Sequence, residues 1–215
     1  MIKEEINKVI NESCFDTMKR FDDKSIDLTL TDPPYGIELE YDVWIDTEEN
    51  WKELMHALIP EVIRVSKMAI MPSCRIQYLS WIYQNHPPDW LMCWYKGSVG
   101  HQAYIGFNDW EPLLVYGRRQ NRMAMHDYMK IKSSPKKGTH GHPCPKPVEW
   151  SDWLIKRASF IDDMIYDPFS GSGTTGVSAV KLNRKFIGSE ISSEYTDIAN
   201  KRINRQINLE GLMGF

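Results

Sequence analysis

Two hydrophobic periods run along the chain. From Ile26 to Thr31, apolar Ile26, Leu28 and Leu30 alternate with Asp27, Thr29 and Thr31, the two-residue period of a strand. Between 49 and 65, Trp51, Leu54, Met55, Leu58, Ile59 and Val62 recur at helical spacing, with Pro60 expected to kink or end the helix. Further strands are predicted at 67–71, 91–94, 113–116, 164–167 and 185–190. Helices are predicted at 14–21, around 75–84, at 148–158, through 178–182 and from near Ser192. The alternation predicts one α/β domain over 1–215, with helices on both faces of a mostly parallel sheet. The layered pattern stops after Tyr116 and resumes at Val148.

Composition narrows the class without changing that picture. A hydrophobic content of 42% and a charged content of 26% are ordinary for a soluble globule. No apolar run approaches a membrane span, and Met1-Ile2-Lys3-Glu4-Glu5-Ile6 lacks a secretory stretch, so a cytoplasmic protein without a membrane partner is expected. Cys14, Cys74, Cys93 and Cys144 lack paired metal-ligand spacing and read as reduced thiols. His140, His142 and Cys144 alternate closely, but Pro143 and Pro145 restrict their convergence, and no metal is expected.

Two strand ends carry the candidate chemistry. The first strand runs into Thr31-Asp32-Pro33-Pro34-Tyr35-Gly36. Proline lacks an N–H, and Pro34 drives residue 33 into an extended conformation, so the loop's carbonyls project with no strand to receive them. With the Asp32 carboxylate and the Tyr35 ring, they suit a planar ligand bearing an amino group. An ordinary Pro-Pro turn is the competing account. The second end is Asp167-Pro168-Phe169-Ser170-Gly171-Ser172-Gly173-Thr174-Thr175-Gly176. Gly171, Gly173 and Gly176 have the spacing G-x-G-x-x-G, which permits a tight turn and close approach of backbone to a ligand. A dinucleotide site, an adenosine-containing cofactor site and a packing turn all fit. No lysine follows Gly176 as a nucleoside-triphosphate loop requires. Glu190 ends the next strand, where a carboxylate can accept from both ribose hydroxyls or serve the following helix N-terminus.

In these residues the chain resembles the amino-group DNA methyltransferases that use S-adenosylmethionine, in the permuted beta-class arrangement with the catalytic element ahead of the glycine loop. Asp32-Pro33-Pro34-Tyr35 matches the catalytic element and Phe169-Ser170-Gly171-Ser172-Gly173 the cofactor loop. A third match, His142-Pro143-Cys144-Pro145-Lys146-Pro147-Val148-Glu149-Trp150, begins the helix that the family places beside the cofactor's methionine part. The matches span residues 14 to 207 or so. The resemblance implies a single Rossmann-like methyltransferase domain, S-adenosylmethionine as cofactor and double-stranded DNA as partner. It implies a cofactor site drawn from Ser13, Asp32, Lys146, Pro147, Asp167, Phe169, Ser170, Gly171, Ser172, Gly173, Thr174, Thr175 and Glu190. Related enzymes carry Gly-Asp-Cys where this chain reads Glu12-Ser13-Cys14, so the adenine contact falls to Ser13, to Glu12 or to backbone.

Charge gives the interruption after Tyr116 a meaning. Residues 117–140 hold Arg118, Arg119, Arg122, Lys130, Lys132, Lys136 and Lys137 against Asp127, a balance of 7 − 1 = +6. The whole chain is −3, so the remainder is −9. Such asymmetry suits phosphate contact, although a solvated basic loop has the same composition. The resemblance places target recognition here, so 117–141 is expected to be a short basic recognition insertion, poorly ordered without a partner, with those seven residues binding DNA. A loop this short reads few base edges. A longer recognition sequence would call for other contacts, a second copy of the chain or a separate specificity protein. The stretch 98–108, after Trp94-Tyr95-Lys96-Gly97, is expected to lie over the cofactor or target base.

For such an enzyme the expected chemistry is amine methylation. Asp32 and the Pro33 carbonyl accept the amine hydrogens, Pro34 stiffens the loop, and Tyr35 stacks on a base swung out of the duplex. Adenine N6 is the leading target and cytosine N4 the competitor. An oxidoreductase with a nucleotide cofactor would explain the glycine loop but not Asp32 to Tyr35. A non-catalytic nucleic-acid module would explain only the basic interval.

Overall fold

The computed structural model describes residues 3–41, 44–72, 76–97, 101–102, 106–118, 126–132 and 146–213. A 3-10 turn at Lys3–Glu5 precedes β1 (Lys8–Asn11), α1 (Cys14–Met18), β2 (Leu28–Leu30), β3 (Glu40–Tyr41), β4 (Trp44–Ile45) and α2 (Glu48–Val65). Next come β5 (Met68–Pro72), a 3-10 turn at Ile76–Tyr78, α3 (Leu79–Asn85), β6 (Trp90–Tyr95), β7 (His101–Gln102), β8 (Phe107–Asn108), β9 (Trp110–Gly117) and β10 (Tyr128–Lys130). The chain closes with α4 (Val148–Ala158), β11 (Met164–Asp167), α5 (Thr174–Lys181), β12 (Lys185–Glu190) and α6 (Ser193–Met213).

Eight strands form one sheet in the order β1-β12-β11-β2-β5-β9-β6-β10. All neighbours pair in parallel except β9, which runs against both β5 and β6. The expected mostly parallel sheet is therefore present, with one reversed strand among the described residues. Its consequence is positional. The C-terminal ends of the other seven strands and the N-terminal end of β9 share one edge, where ligands of open α/β sheets bind.

Helices cover both faces. On one, Trp51, Leu54, Met55, Leu58, Ile59 and Val62 of α2 pack with Cys14 and Met18 of α1 and Ile82 of α3. On the other, Trp150, Leu154 and Ile155 of α4, Ala179 of α5 and Ile203 of α6 pack against Leu28, Leu30, Ile165 and Phe186 of the sheet. Strands enclosed in this way are buried on both faces, as β11 and β2 are throughout, Thr29 of β2 included.

Several expectations shift. Pro60 does not end α2, which continues to Val65; the His56 carbonyl forgoes its usual donor, and the packed apolar face holds the helix together. The helix around 75–84 appears as the turn at Ile76–Tyr78 and α3, with Arg75 outside the described residues. Strand β1 was not anticipated, because four residues with one buried side chain carry little periodicity. Its outer edge is closed by Asn200 of α6, which donates to the Val9 carbonyl and accepts from the Val9 N–H, both at 2.9 Å. Part of the basic interval is also ordered. Tyr128–Lys130 adds a strand beside β6, and Met129 is buried, so low order is not a property of all of 117–141.

Candidate active site

The loop after β2 is fixed by residues well beyond it. Asp46, 2% exposed, accepts backbone hydrogen bonds from Gly36 (2.7 Å), Ile37 (3.0 Å) and Leu39 (3.2 Å). The Tyr78 hydroxyl donates to the Gly36 carbonyl at 2.8 Å. Gly36 has φ +63°, and a Cβ there would sit 2.8 Å from Trp51 Cβ. The C-terminal end of the segment Asp32-Pro33-Pro34-Tyr35 is therefore held by the body of the protein, and its N-terminal end continues from β2.

Asp32 lies in a charged cluster assembled from separated segments. The Tyr35 hydroxyl donates to Asp32 Oδ1 and lies 3.4 Å from Glu111 Oε1. Lys146 approaches Asp32 Oδ1 at 3.1 Å, donates to the Tyr35 hydroxyl, and stands 4.6 Å from the centre of the Tyr35 ring and 5.3 Å from Trp94. Glu111 at the start of β9, 3% exposed, is ion-paired to Lys96. Burial pushes the Asp32 carboxyl above its ordinary range; Lys146 and Tyr35 oppose this, and Glu111 adds to it. Glu111 was not anticipated. Its only sequence signal is a carboxylate beside the apolar run 113–116, unremarkable until β9 lies beside β5.

A pocket opens beside this cluster, lined by Asp32, Lys146, Trp150, Ser151, Asp167, Phe169, Ser170, Gly171, Ser172, Thr174 and Thr175. Asp167 is 3% exposed and accepts from the Phe169 N–H at 3.1 Å. Burial raises its carboxyl to about 7, against a hydrogen bond from Thr175 that favours the charged form. The loop is braced by Glu190, whose two oxygens accept from Gly171 N (2.8 Å) and Ser192 N (2.9 Å). One carboxylate thus ties the turn to the start of α6. Burial raises it, and those two N–H groups pull it back. On the other side of the loop, Arg202 of α6 donates to Ser172 Oγ at 2.9 Å.

The glycines divide their work. Gly173 caps α5 at φ +80°, and a Cβ there would lie 2.8 Å from Ala199 Cβ. A Cβ at Gly176 would meet Ile203 Cδ1 at 2.6 Å. These two set the close packing of α5 on α6, so the packing account of the motif is correct for them, while Gly171 lines the pocket. The walls suit a ligand with polar groups, because Ser151 Oγ and Trp150 Nε1 are buried without a hydrogen-bond partner among the described residues.

The remaining expected residues fall in different places. Pro147 is the N-cap of α4, next to Lys146. The Ser13 hydroxyl accepts from Phe15 N at 3.3 Å as the cap of α1, and Glu12 accepts from Thr17 at 2.6 Å and from Arg20; both side chains are engaged in anchoring α1. Lys130 and Lys132 leave β10 at the edge that carries Asp32. Arg118 does not join them. Gly117 pairs with Met68 at the start of β5, so Arg118 sits at the opposite edge, about 25 Å along β9. Arg119, Arg122, Lys136, Lys137, His140, His142, Cys144 and Cys74 lie outside the described residues, as does most of 98–105. Among the described residues no cluster of three or more His, Cys, Asp or Glu side chains could hold a metal, and no helix is long and apolar enough to cross a membrane.

Comparison with known proteins places this geometry. Residues 76–201 match a family described as DNA methylase, a stretch that includes Glu111, Lys146, the glycine loop and Glu190. The DNA adenine methyltransferase YhdJ of Escherichia coli (strain K12) is 28% identical over 257 residues, covering 93% of this chain and 83% of that protein. Among solved structures, the M1.HpyAVI–SAM complex matches with a TM-score of 0.66 at 22% identity, over 92% of this chain and 98% of that one. The PvuII cytosine-N4-specific DNA methyltransferase matches with a TM-score of 0.67 at 16% identity, over 94% and 93%.

Proposed function

The chain belongs to the DNA methylase family of N6 and N4 amino-methyltransferases, and from that premise we propose that it methylates the exocyclic N6 amine of adenine in double-stranded DNA, at a specific sequence and on a base turned out of the duplex. The observation that carries the reading is the meeting, at one sheet edge, of the Asp32–Tyr35 segment with the pocket formed by Asp167 and the glycine loop. The cofactor is S-adenosylmethionine, and when bound it supplies a methyl group made electrophilic by the sulfonium charge. Asp167, Phe169, Ser170, Gly171, Ser172, Thr174, Thr175 and Lys146 would hold it, with Gly173 and Glu190 shaping the loop.

The protein's own task is then positioning and charge. The exocyclic amine is a weak nucleophile because its lone pair is delocalised into the ring. Asp32 accepts one amine hydrogen and the Pro33 carbonyl the other, turning the lone pair toward the methyl group, while Pro34 limits the loop's freedom. The Tyr35 ring stacks on the extruded base and helps offset the few kcal/mol that extrusion costs. As the nitrogen gains positive charge, the Asp32 carboxylate that accepts one of its hydrogens stabilises it, and Glu111 adds negative charge near Asp32 through the Tyr35 hydroxyl. The methylated nitrogen then releases one of its hydrogens as a proton.

Two observations favour adenine: the aspartate at position 32, which such enzymes more often pair with adenine, and the adenine specificity in the name of the Escherichia coli relative. The likeness to the PvuII enzyme supports N4-cytosine as the second reading. For the interval 117–141 we propose a role in target recognition, with Lys130 and Lys132 toward the DNA and Arg119, Arg122, Lys136 and Lys137 as further candidates. The deciding experiment incubates the protein with labelled S-adenosylmethionine and mixed-sequence duplex DNA, with RNA as control, and identifies the modified nucleoside. Label in N6-methyladenine is expected. Label in N4-methylcytosine selects the second reading, and absence of label from both rejects the proposal.

A further inference from the structure

At the edge that carries Asp32, Trp110 of β9, Tyr95 of β6 and Lys130 of β10 stand in register across three neighbouring strands. The adjacent row, Glu111, Trp94 and Met129, is buried. Because strand side chains alternate, Trp110, Tyr95 and Lys130 face the other way. That side is open. Trp110 is 40% exposed, Tyr95 is half-buried, Lys130 is exposed, and Tyr128, two residues before Lys130, is 53% exposed. Lys130 Nζ lies 5.5 Å from the centre of the Tyr95 ring. The row is one residue from Glu111, whose carboxylate reaches Tyr35.

Packing does not explain these aromatics, since the rings that serve the core, such as Trp94 and Trp150, lie in the buried layer on the opposite side. Flat aromatic faces interleaved with cations are what a nucleic-acid strand requires: rings for bases and ammonium groups for phosphates. Lys130 and Lys132, two residues apart and both exposed, supply the charge at this edge, whereas Lys96 turns to the other side, where it pairs with Glu111.

We propose that Trp110, Tyr95 and Lys130 form a stacking platform for a nucleotide of the DNA flanking the target base, with Lys130 meeting its phosphate. The inference rests on DNA being the substrate and adds a surface outside the amine-binding pocket. In this arrangement Tyr35 holds the reacting base and the platform holds the strand beside it. The gap left by extrusion is then stabilised from the protein side.

The test measures binding of a mixed-sequence duplex, at two salt concentrations and with S-adenosylhomocysteine present, to wild type and to Trp110→Ala, Trp110→Phe, Tyr95→Ala and Lys130→Gln. Each alanine variant is expected to weaken DNA binding about tenfold, and Trp110→Phe, which keeps a ring, to stay near wild type. Lys130→Gln should reduce the slope of log affinity against log salt by about one. Cofactor affinity and melting temperature should not change, which separates the platform from a folding role. Folded Trp110→Ala and Tyr95→Ala proteins that bind DNA as wild type does would overturn the proposal, as would a wild type that binds no DNA. Methyl incorporation by wild type reads the enzymatic proposal separately. DNA binding that depends on Trp110 without methylation removes the proposed reaction and keeps the platform; methylation and binding unchanged in both alanine variants do the reverse.

Discussion

The two sides of the proposed catalytic edge are built by different means. On the β11 and β12 side, one contiguous stretch from Asp167 to Gly176 folds back on itself and is tied by Glu190, with backbone N–H groups doing much of the bonding. On the β2, β9 and β6 side, Asp32, Tyr35, Lys96, Glu111 and Lys146 come from four distant segments and meet through charged side chains. Where backbone must approach backbone or ligand, only glycine and small residues fit, and they leave a compact signature. Opposed side chains need only that their strands become neighbours. That second kind of site has no local pattern, and its members are named only once the sheet order is known.

If this contrast is correct, the target side should be chemically sensitive and structurally tolerant. Asp32→Ala is expected to cause the largest single effect, a loss of about 10³-fold in turnover, near 4 kcal/mol, because it removes an acceptor used as charge develops. Methyl transfer by the purified variant, with cofactor binding measured separately, checks this. Wild-type turnover in Asp32→Ala would remove the catalytic assignment.

The cofactor side should respond through stability and pH. Asp167 is raised to about 7 by burial from its ordinary 3.8, so the folded state retains a proton that the unfolded chain releases. Stability from this group is therefore greatest below pH 4, falls as pH rises through the window from about 4 to 7, and is level above it. The total is about 4 kcal/mol. Asp167→Asn does not titrate and still offers an oxygen to the Phe169 N–H. Without cofactor it should gain on wild type between pH 5 and pH 8 in denaturant unfolding. A difference between the two proteins that is the same at both pH values would break the argument. Next in size is Gly173→Ala, which places a Cβ against Ala199 at a φ that side chains avoid. It should cost about 2 kcal/mol by the same measurement, and unchanged stability would mean that α5 and α6 are not locked at that contact.

The same contrast explains what the sequence disclosed. Helix α2 and strands β2, β11 and β12 were legible because their periodicity reflects burial on defined faces. Asp32 to Tyr35 and the glycine stretch were legible because their geometry needs particular residues in succession. Asp46 was not, since a carboxylate that collects Gly36, Ile37 and Leu39 N–H groups looks like any loop aspartate. Ser13 was expected only as an adenine contact, and nothing in the sequence marked its hydroxyl as the cap of α1. Arg118 and Lys130 are twelve positions apart in one basic run, yet the reversed direction of β9 sends them to opposite edges. Charge density in a sequence window is no measure of charge density on a surface once a strand runs through the window.

Glu111→Gln makes the finest test of the target side, because it changes charge with almost no change in shape. The Asp32 carboxyl is raised by burial first, lowered by Lys146 and Tyr35, and raised again by Glu111. In the proposed mechanism Asp32 accepts in its ionised form, so activity should fall on the acid side as it gains a proton. Removing the Glu111 charge lowers the Asp32 pKa, and the acid limb of kcat/KM should move to lower pH. Glutamine still presents an oxygen to the Tyr35 hydroxyl, so base stacking should persist, and DNA affinity above the limb should change little. An acid limb that stays in place, or moves upward, would show that Glu111 acts only as the partner of Lys96. A limb that moves downward identifies a positioning carboxylate that acts on Asp32 across the sheet, without touching the base.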